Sequence, residues 1–245
     1  MSKAIGIVAE YNPFHNGHAH HLREAKRIAG NRPVIAAMSG SLVQRGLPAL
    51  TDKWTRARMA VLGGVDLVLE LPTVFTCRSA EFFAAGAVKL LAATGMVSHL
   101  AFGAEAANSQ QLMLTAEFLN EPVFQDALHH YLDEGHSYAK SLELTLAEDP
   151  SMLTIAEHPN NILALDIAAS FCTAVTRSNL SSLNAAAAAI KIKPSTGLLP
   201  AQQPFVSIIA AMASMKRCSA QFRQLQPSCC VRQIFSTEWI SVIKF

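Results

Sequence analysis

Residues 6–18 read Gly6-Ile-Val-Ala-Glu-Tyr-Asn-Pro-Phe-His-Asn-Gly-His18, and they carry the main structural signal of this 245-residue chain. They begin inside a short apolar run that starts at Lys3, and such a β-rich run is typical of a buried strand. A turn-rich loop follows from Glu10, and from Gly17 the apolar residues recur at helical spacing up to Gly30. The stretch therefore predicts a strand, a loop and a helix in succession.

The loop ends in His15-Asn16-Gly17-His18, and this pattern predicts a phosphate site. The amides and the dipole of a helix N-terminus favour an anion. Two imidazoles can donate hydrogen bonds to phosphate oxygens, and the glycine between them lets a nucleotide approach the backbone. The carboxyl end of a parallel strand is also where open α/β sheets bind their ligands.

Strand-like and helix-like segments alternate over the first 110 residues. Strands are predicted at Pro33–Met38, Val65–Leu71 and His99–Phe102, and helices at Trp54–Leu62 and Ser79–Ala93. This alternation predicts βαβ units, hence an α/β fold with a Rossmann-like parallel sheet flanked by helices. A mainly helical region is expected over residues 110–150, and a new segment begins at Pro159. The alanine run Ala185–Ala189 is expected to be a helix or a linker, and no period is evident beyond Lys193.

Charge is distributed unevenly along the chain. Hydrophobic residues make up 51% of it and charged residues only 16%, which excludes a disordered polyelectrolyte. Residues 1–166 carry 12 basic and 17 acidic side chains, whereas residues 167–245 carry 8 basic side chains and one acidic one, Glu238. We therefore expect two parts: a nucleotide-binding domain at 1–166 and an atypical tail at 167–245.

No signal peptide or membrane span is evident, because polar residues interrupt every long apolar run. The five cysteines form no CxxC pair and no zinc spacing, so no metal site is predicted; they are Cys77, Cys172, Cys218, Cys229 and Cys230. Reduced thiols in a cytoplasmic protein are the simplest interpretation.

The opening stretch resembles that of the bacterial tRNA(Met) cytidine acetate ligases, a family within the HxGH nucleotidyltransferase-like superfamily. Further segments resemble the same family in the same order: Met38-Ser-Gly-Ser-Leu-Val-Gln-Arg-Gly46, Lys53-Trp54, Gly64-Val-Asp-Leu-Val-Leu-Glu-Leu-Pro72, Phe102-Gly-Ala-Glu105 and Pro159-Asn-Asn-Ile-Leu163. The resemblance covers about two-thirds of the chain and implies a HUP-type Rossmann-like fold.

The resemblance also implies a two-step reaction. Acetate attacks the α-phosphate of ATP, with Mg²⁺ accompanying the nucleotide, and the acetyl group then passes to N4 of the wobble cytidine in elongator tRNA(Met). His15 and His18 would be catalytic, neutralising phosphate oxygens. The implied ATP-binding residues are Val8, Ala9, Glu10, Tyr11, Asn12, Pro13, Phe14, His15, Asn16, Gly17, His18, Ala19, His20, His21, Gly103 and Asn160.

Several polar residues admit two interpretations. Ser39, with Gly40, either frames the adenylate or ends a strand. Arg45 and Lys53 either contact phosphate or tRNA, or are solvated surface charges. Glu70 is either a ribose or Mg²⁺ contact or, as we favour, a structural residue. His20 and His21 fit the first turn of a helix better than catalysis.

The chain departs from the family beyond Pro159-Asn-Asn-Ile-Leu163. Family members are longer, and they carry an arginine nucleotide contact and a Ser/Ala/Thr-rich segment that do not occur here. Codons for Phe222-Arg-Gln-Leu-Gln-Pro-Ser228, shifted in frame, can encode Ser-Ser-Ala-Ser-Ala-Ile. Our hypothesis is therefore a truncated or frameshifted chain whose tail is out of frame, and the coding DNA downstream of Asp166 tests it.

Three functions follow as alternatives: the ligase itself, active or impaired; an inactive or merely nucleotide-binding fragment of it; or an HxGH adenylyltransferase acting on a small cofactor precursor. The segments Gln44-Arg45-Gly46 and Pro159-Asn160-Asn161 argue against the third. Neither the oligomeric state nor the acetate-binding residues can be inferred from the sequence.

Overall fold

The computed structural model describes residues 3–105, 109–156, 159–177, 185–191 and 205–212. Its strands form one six-stranded sheet in the spatial order β3-β2-β1-β4-β6-β5. The first four strands pair in parallel and confirm the predicted α/β fold. The strands are β1 (Ala4–Ala9), β2 (Val34–Ser39), β3 (Leu67–Leu71), β4 (Val97–Glu105), β5 (Ala185–Lys191) and β6 (Phe205–Met212).

Helices flank this sheet and fill the connections between its strands. Over the described residues they are α1 (Asn16–Ile28), α2 (Lys53–Leu62), α3 (Thr73–Thr76), α4 (Ala80–Ala93), α5 (Ser109–Phe118), α6 (Pro122–Asp133), α7 (Tyr138–Leu146), α8 (Pro150–Ala156) and α9 (Pro159–Arg177). The helices predicted from Gly17, Trp54 and Ser79 are confirmed, and their bounds shift by only one or two residues.

Strand β1 lies where the chain reverses its direction across the sheet, between β2 and β4. Its ladder with β2 continues to the pair Ala9–Met38, whereas its ladder with β4 ends at Ile7–Ala101. A crevice therefore opens between the carboxyl ends of β1 and β4. Ligands bind at this kind of position in open α/β sheets.

Both faces of β1 are buried, which explains its continuous apolar sequence. Ile5 and Ile7 belong to the cluster that also buries Leu22 of α1 and Ala57 of α2. On the opposite face a Cβ added to Gly6 would lie 2.8 Å from Leu100 Cδ2, so only glycine lets this face pack so closely. Each fully buried leucine or isoleucine contributes about 1.5–3 kcal/mol.

The far edge of the sheet differs from the sequence-based expectation. The alanine run predicted as a helix or linker lies in β5, so that prediction is wrong. Residues 205–212, where no period was found, form β6, which pairs antiparallel with both β4 and β5. The helix preference of alanine is a weak prior, and strand pairing satisfies the same backbone groups.

The proposed division of the chain at residue 166 falls inside α9, which continues without a break from Pro159 to Arg177. The division stays a prediction. The frame-shifted segment at residues 222–228 lies outside the described residues, as do Cys218, Cys229 and Cys230. Over the part of the chain that the structure covers, no helix combines the length and the apolar character that a membrane crossing requires.

A buried contact between Tyr138 and Asp166 ties α7 to α9. The Tyr138 hydroxyl donates to Asp166 Oδ1 over 2.6 Å, and Asp166 is only 2% exposed. Its Oδ2 atom finds no hydrogen-bond partner among the described residues. Burial raises the pKa of Asp166 to about 8, and the nearby charge of Glu81 adds to this, whereas the Tyr138 hydrogen bond opposes it.

This raised pKa makes the folded state less stable as pH increases. Asp166 is protonated in both states below about pH 3, but between its ordinary pKa of 3.8 and its folded-state pKa of about 8 the unfolded chain ionises it more readily. Asp166→Asn keeps an acceptor for Tyr138 and removes the charge. We expect the variant to melt at least about 5 °C above the parent at pH 8, and at the same temperature near pH 3.

The control is Asp126→Asn, since Asp126 is exposed on α6. Thermal unfolding followed by circular dichroism measures both variants. A melting-temperature difference for Asp166→Asn that is the same at both pH values would contradict the account of this carboxyl group.

Candidate functional site

The two histidines of the HxGH turn hold each other in a capping box at the start of α1. His15 is the N-cap residue, and its Nδ1 accepts the Gly17 amide over 3.1 Å. His18 Nδ1 accepts the His15 amide over 3.2 Å, and the two rings stack with centroids 3.7 Å apart. Because each Nδ1 is an acceptor, a neutral ring carries its proton on Nε2. Both imidazoles therefore offer an Nε2–H donor to a ligand.

Gly17 is required by this arrangement. The His15 ring folds back over it, and a Cβ at position 17 would lie 2.9 Å from His15 Cε1. A larger residue would push the ring away and break the hydrogen bond to the Gly17 amide. The glycine in the motif thus makes room for the His15 ring as well as for the approach of a ligand.

A cluster of aromatic rings packs against the HxGH turn. The Tyr11 ring lies 5.0 Å from both the Phe14 and the His18 ring, measured between centroids. Phe14 in turn covers Gly63 at the end of α2, where an added Cβ would approach its ring to 2.4 Å. Tyr11 adopts a left-handed φ of 47°, which costs about 1–2 kcal/mol. Burial of its ring, which is 3% exposed, offsets this cost.

Burial keeps two of the histidines neutral. It lowers the pKa of His18 to about 4, and the charges of His15 and His21 lower it further. Burial likewise lowers the pKa of His21 to about 4, with the Phe102 backbone opposing and His20 reinforcing the shift. The Nε2 atoms of His20 and His21 are buried and have no hydrogen-bond partner among the described residues. Two buried imidazole nitrogens of α1 therefore have no partner in the part of the chain that the structure describes.

A buried arginine connects the carboxyl ends of β1 and β2. Arg56, on α2, is fully buried, and its Nη1 donates to the Glu10 carbonyl over 2.6 Å and to Ser39 Oγ over 3.3 Å. Its Nη2 donates to the carbonyls of Ser39, over 2.9 Å, and of Gly40. Burial lowers the pKa of Arg56, and the charges of Glu10, Asp52 and Glu70 oppose the shift. We call this set of contacts the Arg56 clamp.

The loop at residues 41–52 is fastened to the loop that follows β1. Glu10 Oε1 accepts the Gln44 amide and Asn12 Oδ1 accepts the Leu50 amide, both over 2.7 Å. Arg45 lies on this loop with a left-handed φ of 67°; it is exposed and makes no hydrogen bond or ion pair within the described part of the chain. No residue pattern had indicated that Glu10 and Asn12 organise this second loop.

Lys53 and Ser39 are both engaged by other residues. Lys53 Nζ lies 2.8 and 2.7 Å from the two carboxylate oxygens of Glu70. Glu70 in turn leaves room only for glycine at position 40, where a Cβ would lie 2.5 Å from its Oε1. Ser39 is buried against Arg56. Of the three predicted phosphate or tRNA contacts, Arg45 is therefore the one whose charge is unpaired.

The predicted ATP-binding stretch, Val8 to His21, runs from the end of β1 through the loop into α1. Gly103 lies on β4, across the crevice, and Asn160 lies in the first turn of α9. Sequence reasoning missed Arg56. Its spacing from Ala57 and Ala60 was the available signal, because it puts a charged residue on the buried face of α2.

Comparison with known proteins gives a consistent result. A family model described as HIGH Nucleotidyl Transferase matches residues 2–184. A tRNA(Met) cytidine acetate ligase from Alkaliphilus metalliredigens is 45% identical over 179 residues, covering 67% of this chain and 42% of that protein. The one from Caldicellulosiruptor saccharolyticus is 48% identical over 166 residues, covering 67% of this chain and 41% of that protein.

A crystal structure of Thermotoga maritima TmcAL bound with alpha-thio ATP matches with a TM-score of 0.63 and 39% identity, over 70% of this chain and 44% of that one. The chain thus spans less than half the length of the relatives that it matches. With its HxGH turn at the switch point of a parallel sheet, the chain belongs to the HIGH nucleotidyl transferase family, and the relatives that it resembles there are tRNA(Met) cytidine acetate ligases.

Proposed function

We propose that this chain provides the ATP-binding and acetate-activating site of a tRNA(Met) cytidine acetate ligase. The observation that carries the proposal is the pair of Nε2–H donors that His15 and His18 direct from the start of α1. The names of the relatives support the choice of reaction, and the structure of the neighbour with alpha-thio ATP supports the choice of nucleotide.

The reaction proceeds by two displacements. A carboxylate oxygen of acetate attacks the α-phosphorus of ATP, the bond to the β-phosphate oxygen breaks, and pyrophosphate leaves. The N4 amine of the wobble cytidine then attacks the acetyl carbon, AMP leaves with the bonding electron pair, and the amine loses a proton. His15 and His18 donate to phosphate oxygens as charge develops on them, which is stabilisation by position and electrostatics.

The residues around the crevice fit a nucleotide. The stretch from Val8 to His21 and Gly103 border the crevice, and we assign the ATP contacts to them and to Asn160. Gly17 leaves the backbone open to a phosphate group.

Mg²⁺ would enter with the phosphates of ATP. Within the described ranges no three His, Cys, Asp or Glu side chains are grouped as metal ligands. Glu70 is occupied by Lys53, and Glu10 by the Gln44 amide. The ion would therefore be held by the phosphates and by water, as Mg²⁺ commonly is, and it would neutralise charge on the leaving pyrophosphate.

The acceptor in this proposal is elongator tRNA(Met). We assign a contact with it to Arg45, because this residue is exposed and follows Gln44, whose amide donates to Glu10 in the nucleotide loop. Lys53 would have to leave its ion pair with Glu70 to bind a phosphate group. Ser39 would contribute only by positioning the backbone, through its hydrogen bonds with Arg56. An enzyme acting on tRNA would work in the cytoplasm, in agreement with the expectation from the cysteines.

A second candidate is a chain that binds ATP without completing acetyl transfer. It is favoured by one observation: residues 1–166 carry 12 basic and 17 acidic side chains, which supplies no general positive charge for binding tRNA. Nucleotide binding and acetyl transfer are therefore measured separately below.

We expect the purified chain to bind ATP and, with acetate, to release AMP when elongator tRNA(Met) is present. His18→Ala removes one phosphate donor and is expected to weaken ATP binding about tenfold or more, as the loss of a charge-assisted hydrogen bond does, and to abolish AMP release. Calorimetry measures binding, and chromatography of the nucleotides and nucleosides measures AMP and N4-acetylcytidine.

His129→Ala is the control, since His129 is exposed on α6. Binding without AMP release would select the second candidate. Undiminished binding and turnover in His18→Ala would refute the phosphate role, and a parent chain that does not bind ATP would refute the proposal as a whole.

Binding of ATP is expected to take up protons at His18. Its pKa of about 4 is low because burial disfavours the cation, and adjacent phosphate charge reverses that effect. The added proton goes to Nδ1, which then gives up the His15 amide. The protonated ring binds phosphate better, so the His18 contribution to affinity declines as pH rises from about 4 towards the higher pKa of the complex.

Calorimetry at pH 6 in two buffers with different ionisation enthalpies measures the proton uptake. We expect the parent to take up more protons per ATP than His18→Ala, because uptake by ATP itself cancels in this comparison. Equal uptake by the two proteins would show that His18 stays neutral in the complex.

A further inference from the structure

Large apolar side chains are exposed immediately beside the nucleotide loop. Leu47 is 62% exposed, Leu50 is 74% exposed and Trp54 is 52% exposed. The Leu50 amide donates to Asn12 within the nucleotide loop, so this surface adjoins the predicted phosphate site. We call Leu47, Leu50 and Trp54, together with Arg45 and Arg58, the Trp54 surface.

The backbone under Trp54 is firmly held. Asp52 caps α2 by accepting the amides of Trp54 and Thr55 over 3.0 and 2.9 Å. Lys53 Nζ lies 5.6 Å from the centre of the Trp54 ring and is fixed from its other side by Glu70. Because its backbone is held in this way, the Trp54 side chain loses little conformational entropy when a planar ring stacks on its indole.

The arginines of this surface carry positive charge that no ion pair neutralises within the described ranges. Arg58 follows Trp54 by four residues, so both project from one side of α2. Neither Arg45 nor Arg58 makes an ion pair or a hydrogen bond within the described ranges. Two acidic groups of this region are engaged elsewhere, Asp52 with the helix amides and Glu70 with Lys53.

An exposed aromatic ring with one exposed arginine a turn along its own helix, and another on the preceding loop, matches single-stranded nucleic acid. Unpaired bases stack on aromatic side chains, which is worth about 1–3 kcal/mol per base, and arginines contact the flanking phosphates. Sequence-specific recognition of RNA also targets loops whose bases can be unstacked. A protein partner would use the leucines but would leave two unpaired guanidinium groups to be satisfied.

We propose that the Trp54 surface is the docking site for the single-stranded loop of the RNA substrate, with one unpaired base stacked on Trp54 and neighbouring phosphates on Arg45 and Arg58. The inference rests on the proposed function and specifies where the acceptor binds. The Asn12–Leu50 hydrogen bond connects this site to the nucleotide loop, so an RNA loop docked here would adjoin the residues that we assign to ATP.

The test compares Trp54→Ala, Trp54→Phe and the control Leu62→Ala, whose leucine is 79% exposed at the other end of α2. Fluorescence anisotropy measures binding of a labelled RNA hairpin with the anticodon loop of elongator tRNA(Met), and of a fully paired duplex of equal length. We expect Trp54→Ala to weaken hairpin binding about 5- to 150-fold, Trp54→Phe to retain most of the affinity, and Leu62→Ala to match the parent.

Several results would overturn the inference. They are hairpin binding by Trp54→Ala equal to that of the parent, an equal loss in Trp54→Phe, equal binding of the duplex and the hairpin, or no hairpin binding at all. Self-association that Trp54→Ala abolishes while hairpin binding persists would instead assign the surface to a protein contact.

ATP binding, measured in the same variants, separates this inference from the proposed function. It is expected to stay within about twofold of the parent, since Trp54 does not support the histidine turn. ATP binding with unaltered hairpin affinity in Trp54→Ala refutes only the docking site, whereas a parent that binds hairpin but not ATP refutes only the nucleotide proposal.

Discussion

The buried guanidinium of Arg56 is the contact on which the geometry of the site depends. It donates hydrogen bonds to the carbonyls of Glu10, Ser39 and Gly40, just after β1 and at the end of β2. Ladder hydrogen bonds end there, so without Arg56 these buried carbonyls would lack partners. Removing one partner of a buried polar contact costs about 1–3 kcal/mol, and more when a charge is involved. Both loops of the candidate site start from the carbonyls that Arg56 fixes.

This anchoring explains how an exposed turn can present its histidines in a defined geometry. The capping box fixes which nitrogen of each ring accepts, and the aromatic cluster with Phe14 over Gly63 fixes where the turn lies. Burial then disfavours the charged form of His18. The site that we propose for phosphate is thus arranged in advance, and binding would not have to order its backbone.

The sequence predicted the features that depend on local pattern. Apolar runs marked the four parallel strands, and the strand–loop–helix context of His15 and His18 marked the site. Features that depend on tertiary contacts could not be predicted from the sequence. They are the direction of the Arg56 side chain and the hydrogen bonds from the 41–52 loop to Glu10 and Asn12. The strand conformation of the alanine run in β5 was not predicted for the same reason, since strand pairing at the sheet edge overrode a helix-favouring composition.

Hydrogen exchange in Arg56→Lys tests the clamp most directly. Lysine keeps the buried charge but cannot reach all of the carbonyls that the planar guanidinium contacts. The amides of Gln44 and Leu50, which donate to Glu10 and Asn12, are expected to exchange about tenfold faster or more, equivalent to roughly 1.4 kcal/mol, while the Ile7 amide in β1 stays protected. Unchanged exchange at Gln44 and Leu50 would show that the loops hold their geometry without Arg56.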